Sequence, residues 1–397
     1  MKNLKGTMMG LGIALAMLTA CTAQQQRETT ASGLDPMAFD STINGKKTAL
    51  FTLTNQNGME VCITNYGGRI VSVMVPDKNG TLTDVVLGFD NIAQYADTLN
   101  SPSDYGSTVG RYANRINDGK IMINGQIYQL TQNDTGNGAK HCLHGGGNTG
   151  WMHQVYDAEQ PNDSTLILTL VSPDGDNGFP GQVSAKTTFT VKADNTLDIV
   201  MEATTDKETV INMTNHSYFN LNGDPSKDGE NMILYVNADY FTPSDSTYMT
   251  TGEIAPVEGT PMDFRTATPL SLNINNQEFD QIRNATGFDH NWCLNTYKDG
   301  KGDDTVVCAS LYSPVTGIFL EMFTNEPGVQ VYSGNFQGVG RDADILRKHG
   351  LKYPKHVSVC LESQKYPDSP NKPEWPSPLV KPGETYVSHV AYRFSVK

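Results

Sequence analysis

Apolar and polar residues alternate with a period of two along much of this chain. Leu197, Ile199, Met201 and Ala203 lie on one side of a run whose other side carries Asp198, Glu202 and Thr204, broken only by Val200. Near the C-terminus Val390, Tyr392, Phe394 and Val396 alternate with Ala391, Arg393 and Ser395. A period of two sends successive side chains to opposite faces, so each run offers one face to a core and one to solvent or a cleft. Further strand-like runs are predicted over 50–54, 59–64, 70–75, 165–172, 183–191, 305–311 and 317–324. Turn signals such as Lys78-Asn79-Gly80, Asn124-Gly125 and Asp174-Gly175 separate many of them. Only 342–349, ending at Gly350, carries a brief helical pattern. Many short strands with Gly- and Asn-rich turns predict an all-β fold, a single large antiparallel β-sandwich.

The N-terminus breaks this pattern. Lys2 and Lys5 precede an apolar run over 8–18 that is too short to span a bilayer. Leu18-Thr19-Ala20-Cys21 then resembles a bacterial lipobox. Residues 1–20 are therefore expected to be a lipoprotein signal peptide, with Cys21 as the lipid-modified N-terminus of an exported protein. Its anchor would place the chain on the periplasmic or cell-surface side of a membrane. An ordinary signal peptide cut nearby is the alternative. Residues 21–40, rich in Gln, Thr and Ser, read as a flexible tether, and 41–397 as the sandwich domain.

Charge and cysteine usage narrow the function classes. The formal net charge is −14, and losing Lys2 and Lys5 takes it to −16. Such a chain repels phosphate backbones, which argues against nucleic acid as a partner, while a neutral sugar is indifferent to the field. Cys62, Cys142, Cys293, Cys308 and Cys360 are scattered singly with no CxxC pair, so buried free thiols are expected rather than a zinc or redox framework.

Polar clusters interrupt the strands at a few places. They are Gly110-Arg111-Tyr112-Ala113-Asn114-Arg115-Ile116, His141-Cys142-Leu143-His144-Gly145-Gly146-Gly147, and Thr214-Asn215-His216-Ser217-Tyr218-Phe219-Asn220-Leu221. Val357-Ser358-Val359-Cys360-Leu361-Glu362-Ser363-Gln364 sets a lone carboxylate at the end of an apolar strand, and Gly287-Phe288-Asp289-His290 is a smaller fifth. Singly, each has a bland reading. Glu362 can be a solvated strand end, His216 a core histidine, and Arg115 or Asp289 a surface ion pair or turn cap. The HxxH of His141 and His144 lacks a clear third metal ligand. The glycines at 145–147 lack the Lys-Ser/Thr of a phosphate loop.

Together and in order, these segments resemble the aldose 1-epimerase (galactose mutarotase) family along nearly the whole mature chain. Asn65-Tyr66-Gly67-Gly68-Arg69-Ile70 is similar to its N-Y-G-A-x-I strand, and Val85-Val86-Leu87-Gly88-Phe89-Asp90 follows. Residues 110–116 match G-R-x-A-N-R-I, 143–146 L-H-G-G, 215–221 N-H-S-Y-F-N-L and 287–290 G-x-D-H. Ser333-Gly334-Asn335-Phe336 resembles S-G-N-F, and Leu361-Glu362-Ser363-Gln364 with Pro367-Asp368 the closing L-E-x-Q…P-D. The chain departs from the pattern at a slightly long 133–140 stretch, at His141 where asparagine is commoner, and at Gly68 in place of alanine.

The resemblance implies the galactose mutarotase-like β-sandwich, with Glu362 as general base and His216 as general acid. It further implies that His144, Arg115 and Asp289 hold sugar hydroxyls, with Asn114 supporting them. No cofactor and no metal is expected. The partner is a small free sugar, and membrane contact is expected only through the N-terminal lipid. Ring opening of a hemiacetal needs one base at the C1 hydroxyl and one acid at the ring oxygen, so Glu362 would start ionised and His216 protonated. A glycoside hydrolase, which normally needs two carboxylates, and a non-catalytic sugar-binding module are the rival readings.

Overall fold

The structure, a computed structural model, describes residues 29–397. The expected signal peptide and Cys21 lie outside the described residues. Three antiparallel sheets of four or more strands make the body. The largest has nine strands in the order Asp157–Asn162, Thr165–Ser172, Val183–Val191, Thr196–Thr205, Tyr386–Val396, Ile318–Thr324, Ala309–Tyr312, Ile233–Val236 and Thr268–Pro269. A six-stranded sheet runs Tyr218–Phe219, Val359–Gln364, Gly328–Tyr332, Asp289–Cys293, Tyr240–Thr242 and Ala255–Pro256. A four-stranded sheet is built from Leu50–Thr54, Glu60–Thr64, Arg69–Pro76 and Leu82–Asp84. One continuous apolar core joins all three, with Ile199 and Met201 from the first, Val359 and Leu361 from the second, and Val61 and Val73 from the third. The fold is the expected all-β sandwich.

The period of two decides where chemistry can sit. Along Val359–Gln364, Val359 and Leu361 enter the core, which sends Cys360, Glu362 and Gln364 to the opposite face. On the neighbouring strand Val329 and Val331 face the core, so Gln330 and Tyr332 join Glu362 on its face, and register places Gln330 directly opposite Glu362. The same rule puts Trp292 in the core and Asp289 and Asn291 opposite Tyr332 and Gln330. The six-stranded sheet therefore carries a polar face. The Tyr392 hydroxyl donates to the Leu361 carbonyl at 2.8 Å and ties the two large sheets together behind that face.

Three expectations change. The helix over 342–349 is instead two short 3-10 turns, Gly340–Asp344 and Lys348–Gly350. The cause is the pull of two cations inward. Arg347 pairs with Asp342, and the Lys348 ammonium donates to the Val71 and Val86 carbonyls and to Asp84. The strand predicted from 305 starts only at Ala309, because Thr305 folds back on Asp303 through its N–H at 3.0 Å and its hydroxyl at 2.6 Å. Within the described part of the expected tether, Leu34 and Phe39 are buried, and Asp35 caps the turn Pro36–Phe39. Two well-spaced apolar side chains suffice to dock that segment beside Tyr95. Five cysteines, 62, 142, 293, 308 and 360, are free and buried.

Candidate active site

The polar face of the six-stranded sheet floors a cleft lined by Asp104, Arg115, His144, His216, Asp289 and Glu362, with Tyr218, Tyr332 and Phe336 supplying apolar wall. Of the expected acid–base and sugar-binding residues, all but Asn114 reach this cleft, although they come from widely separated segments.

His216 ends the strand Thr214–His216, which pairs with Ser107–Val109. Its ring stacks on Tyr218 at 4.9 Å and meets His144 edge-on at 5.3 Å. These contacts fix the ring plane so that Nε2 lies 3.5 Å from Oε1 of Glu362. Both side chains are almost fully buried, and Nδ1 of His216 and Oε2 of Glu362 have no partner among the described residues. Burial pushes the Glu362 carboxyl well above its ordinary range, with the Asp289 and Asp104 charges adding and Arg115 opposing. Burial also lowers the His216 imidazole, against the pull of Asp104. Desolvation thus favours the uncharged forms of both groups, the reverse of the starting states that ring opening requires.

The loop residues act as a unit. Asn114 has a left-handed φ of 63° and His144 one of 52°. The Asn114 N–H donates to His144 Nδ1 at 3.2 Å, while the His144 N–H donates to the Asn114 carbonyl at 3.1 Å. With Nδ1 accepting, a neutral ring carries its proton on Nε2. Burial pushes the His144 pKa down to about 3, so the ring is a neutral hydrogen-bond donor. Asn114 does not touch the cleft but sets the tautomer of the residue that does. Gly145 permits this turn: its φ is 80°, and a Cβ there would sit 2.2 Å from the Gly110 carbonyl oxygen.

The two arginines four apart separate completely. Arg111 is buried and donates to the Pro180 and Gly181 carbonyls and the Ser172 hydroxyl, a purely structural task. Arg115 donates through Nε to Asp134 at 2.7 Å and lies over the Tyr248 ring at 5.0 Å. That orientation leaves its terminal nitrogens for a ligand. Asp134 belongs to the long 133–140 stretch, whose Asn133 also pairs with both backbone groups of Leu143. The extra length therefore braces the arginine and the His144 loop. His141 turns away, accepting from the Asp118 N–H and meeting the Thr247 hydroxyl.

Two groups at the site were missed in the sequence. Gln330 donates to Asp289 at 2.6 Å and so orients that carboxylate. A lone amide between Val329 and Val331 was a visible signal. Asp104 sits beside His144 and His216 with no motif to mark it. Ligand-type atoms of Asp104, His144 and His216 lie within 4.8 Å of one another, as do those of His216, Cys360 and Glu362. Burial raises the Cys360 thiol well above its usual range, which makes it a poor thiolate donor. The other half of the HxxH spacing, His141, is absent from both groups.

A buried carboxylate and an imidazole converging on one cleft, with further charged and polar side chains on its walls, define an acid–base enzyme on an antiparallel β-sandwich. The family model described as aldose 1-epimerase matches residues 49–393. The chain belongs to the aldose 1-epimerase family and is an isomerase. Mouse galactose mutarotase is 38% identical over 338 residues, covering 85% of this chain and 92% of that protein. The aldose 1-epimerase of Escherichia coli (strain K12) is 34% identical over 356 residues, covering 88% and 96%. Among solved structures, an aldose epimerase homologue from C. elegans superposes with a TM-score of 0.78 at 28% identity, covering 88% of this chain and 99% of that one. Galactose 1-epimerase from Lactobacillus acidophilus gives 0.74 at 28% identity, covering 90% and 97%.

Proposed function

We propose that this chain interconverts the α and β anomers of a free aldose such as galactose or glucose, with Glu362 as base and His216 as acid. The observation that carries the reading is the 3.5 Å approach of His216 Nε2 to Glu362 Oε1 on the floor of the cleft. Glu362 takes the C1 hydroxyl proton while His216 gives one to the ring oxygen, and the C1–O5 bond breaks to the open aldehyde. Rotation of about half a turn about C1–C2 and reversal of both transfers closes the other anomer. Electrons and atoms balance without a redox partner, and each positioned group typically contributes roughly 10²–10⁴-fold. Arg115, Asp289 and His144 hold sugar hydroxyls, and Asn114 holds His144.

Export and anchoring through Cys21 belong to the same reading and rest on the sequence of the first twenty-one residues. Globomycin-sensitive processing and palmitate labelling lost in Cys21→Ser test the anchor. For the chemistry, freshly dissolved α-galactose should equilibrate faster in a polarimeter with the protein present. Glu362→Gln and His216→Ala should abolish the acceleration while sugar binding persists. Release of reducing sugar from an oligosaccharide without faster mutarotation would favour a hydrolase, and binding alone a sugar-binding module.

A further inference from the structure

Asp104 belongs to none of the sequence motifs, yet strand pairing delivers it to the reacting pair. The register His216↔Ser107 fixes the segment that precedes Ser107 beside the histidine. The Ser107 N–H and hydroxyl both donate to the Asp104 carbonyl, at 3.0 and 2.9 Å, which holds its backbone. One Asp104 carboxylate oxygen lies within 4.8 Å of a ring nitrogen of both His144 and His216. No described side chain or backbone N–H donates to that carboxylate, which is half-buried and lines the cleft. An unbonded carboxylate beside two histidines at a reacting centre calls for an explanation.

The explanation lies in how one proton is divided between His216 and Glu362. The proton on His216 with Glu362 ionised is the state ready for ring opening, and the proton on Glu362 with His216 neutral is not. Both states carry the same net charge, but burial favours the neutral pair, and the surrounding charges work for or against that preference. On His216, Asp104 is the strongest of these charges, ahead of Asp289, with Arg69 opposing. On Glu362 the order is reversed: Asp289 leads Asp104, with Arg115 opposing. The other groups facing the pair are silent. Burial keeps Tyr218, Tyr332 and Cys360 protonated and His144 neutral. Burial works to raise the Asp104 carboxyl, and the charges of His216 and Arg69 work to lower it.

We infer that Asp104 is a positioning residue whose carboxylate draws the shared proton toward His216, populating the state in which Glu362 is ionised to act as base. Asp104 works against the desolvation that favours the neutral pair, although burial still leaves His216 below and Glu362 above their ordinary ranges. The inference rests on the epimerase reading of the pair.

Asp104→Asn keeps the shape and removes the charge. The expected result is a fall in kcat of about tenfold or more with KM for galactose within about twofold, because an acid is lost rather than a ligand. The alkaline limb of kcat reports loss of the His216 proton, so removing the anion should move it about one unit or more to lower pH. Asp104→Glu, which retains the charge, should recover part of both. A raised KM with the limb unmoved would make Asp104 a hydroxyl ligand only and overturn the inference. Long-range proton–nitrogen spectra of the histidine-labelled whole protein, with His216 assigned from His216→Gln, read the ring directly. The wild-type ring should take up its second proton at higher pH than the Asp104→Asn ring; an unmoved titration, or a wild-type ring that stays neutral throughout the folded range, overturns the inference. Full activity in Glu362→Gln would remove Glu362 as the base, a failure distinct from either.

Discussion

Nε2 of His216 stands 3.5 Å from Oε1 of Glu362, while Nδ1 of His216 and Oε2 of Glu362 have no partner among the described residues. The two groups are near enough to compete for one proton, and burial raises the proton affinity of Glu362. A carboxyl so raised is still protonated where a free glutamic acid, at about 4.3, has ionised. Activity that depends on ionised Glu362 must therefore rise only above the ordinary carboxylate range. The acid limb of kcat/KM, measured by polarimetry across about pH 3 to 9, should lie above that value, and it reports the coupled pair rather than one residue. A limb at the ordinary value would contradict the burial of Glu362.

Gln330 links this pair to Asp289 on the cleft wall. Its amide donates to Asp289 at 2.6 Å and its carbonyl accepts from Gln364 at 3.2 Å. Gln330→Ala leaves Asp289 free to rotate but leaves His216 and Glu362 in place. One lost hydrogen bond to a charged group is worth about 1.5–3 kcal/mol. KM for galactose should rise by about tenfold or more with kcat much less affected. An equal fall in kcat with KM unchanged would assign Gln330 to the chemical step instead.

The contrast between Gln330 and Asp104 marks what the sequence could reveal. Strands 165–172 and 183–191 were legible because apolar alternation is a local property, and the structure has them as Thr165–Ser172 and Val183–Val191. Gln330 left a local trace between two valines. Asp104 left none, since its place depends on the pairing of Ser107–Val109 with Thr214–His216 across more than a hundred residues. The convergence of Arg115, His144, His216, Asp289 and Glu362 came from motif order alone. Their charge states were not legible, because desolvation depends on what finally covers each group. The missing helix over 342–349 has the same origin: acceptors for Lys348 lie on distant strands.

Gly145 should be intolerant of any side chain. An added Cβ would lie 2.2 Å from the Gly110 carbonyl oxygen and 2.5 Å from the Arg111 nitrogen, both backbone, at a φ of 80°. Neither neighbour can yield as a flexible side chain would. Gly145→Ala should cost about 1–3 kcal/mol of stability from overpacking and left-handed strain. It should also lower kcat/KM, since His144 is the preceding residue. Calorimetric melting paired with polarimetry checks both, and a variant with wild-type melting and activity would contradict the geometry.

His389 provides a pH-dependent stability far from the reaction. Its Nε2 lies 2.9 Å from Asp198 and its Nδ1 2.7 Å from Asp304. The hydrogen bond to Asp198 raises its proton affinity despite burial, and Asp304 adds to this. A folded value above the unfolded one, about 6.5, means that the stabilisation is fully present below about pH 6.5. It is lost as pH rises through the folded value, because the neutral ring cannot donate to both carboxylates. Asp198 is itself held below its ordinary value, so it stays ionised across this window. His389→Gln should therefore melt well below the wild type near about pH 5.5, with the difference shrinking steadily toward about pH 9. A difference that stays constant or widens as pH rises would show that the ring's packing, and not its charge, holds these strands together.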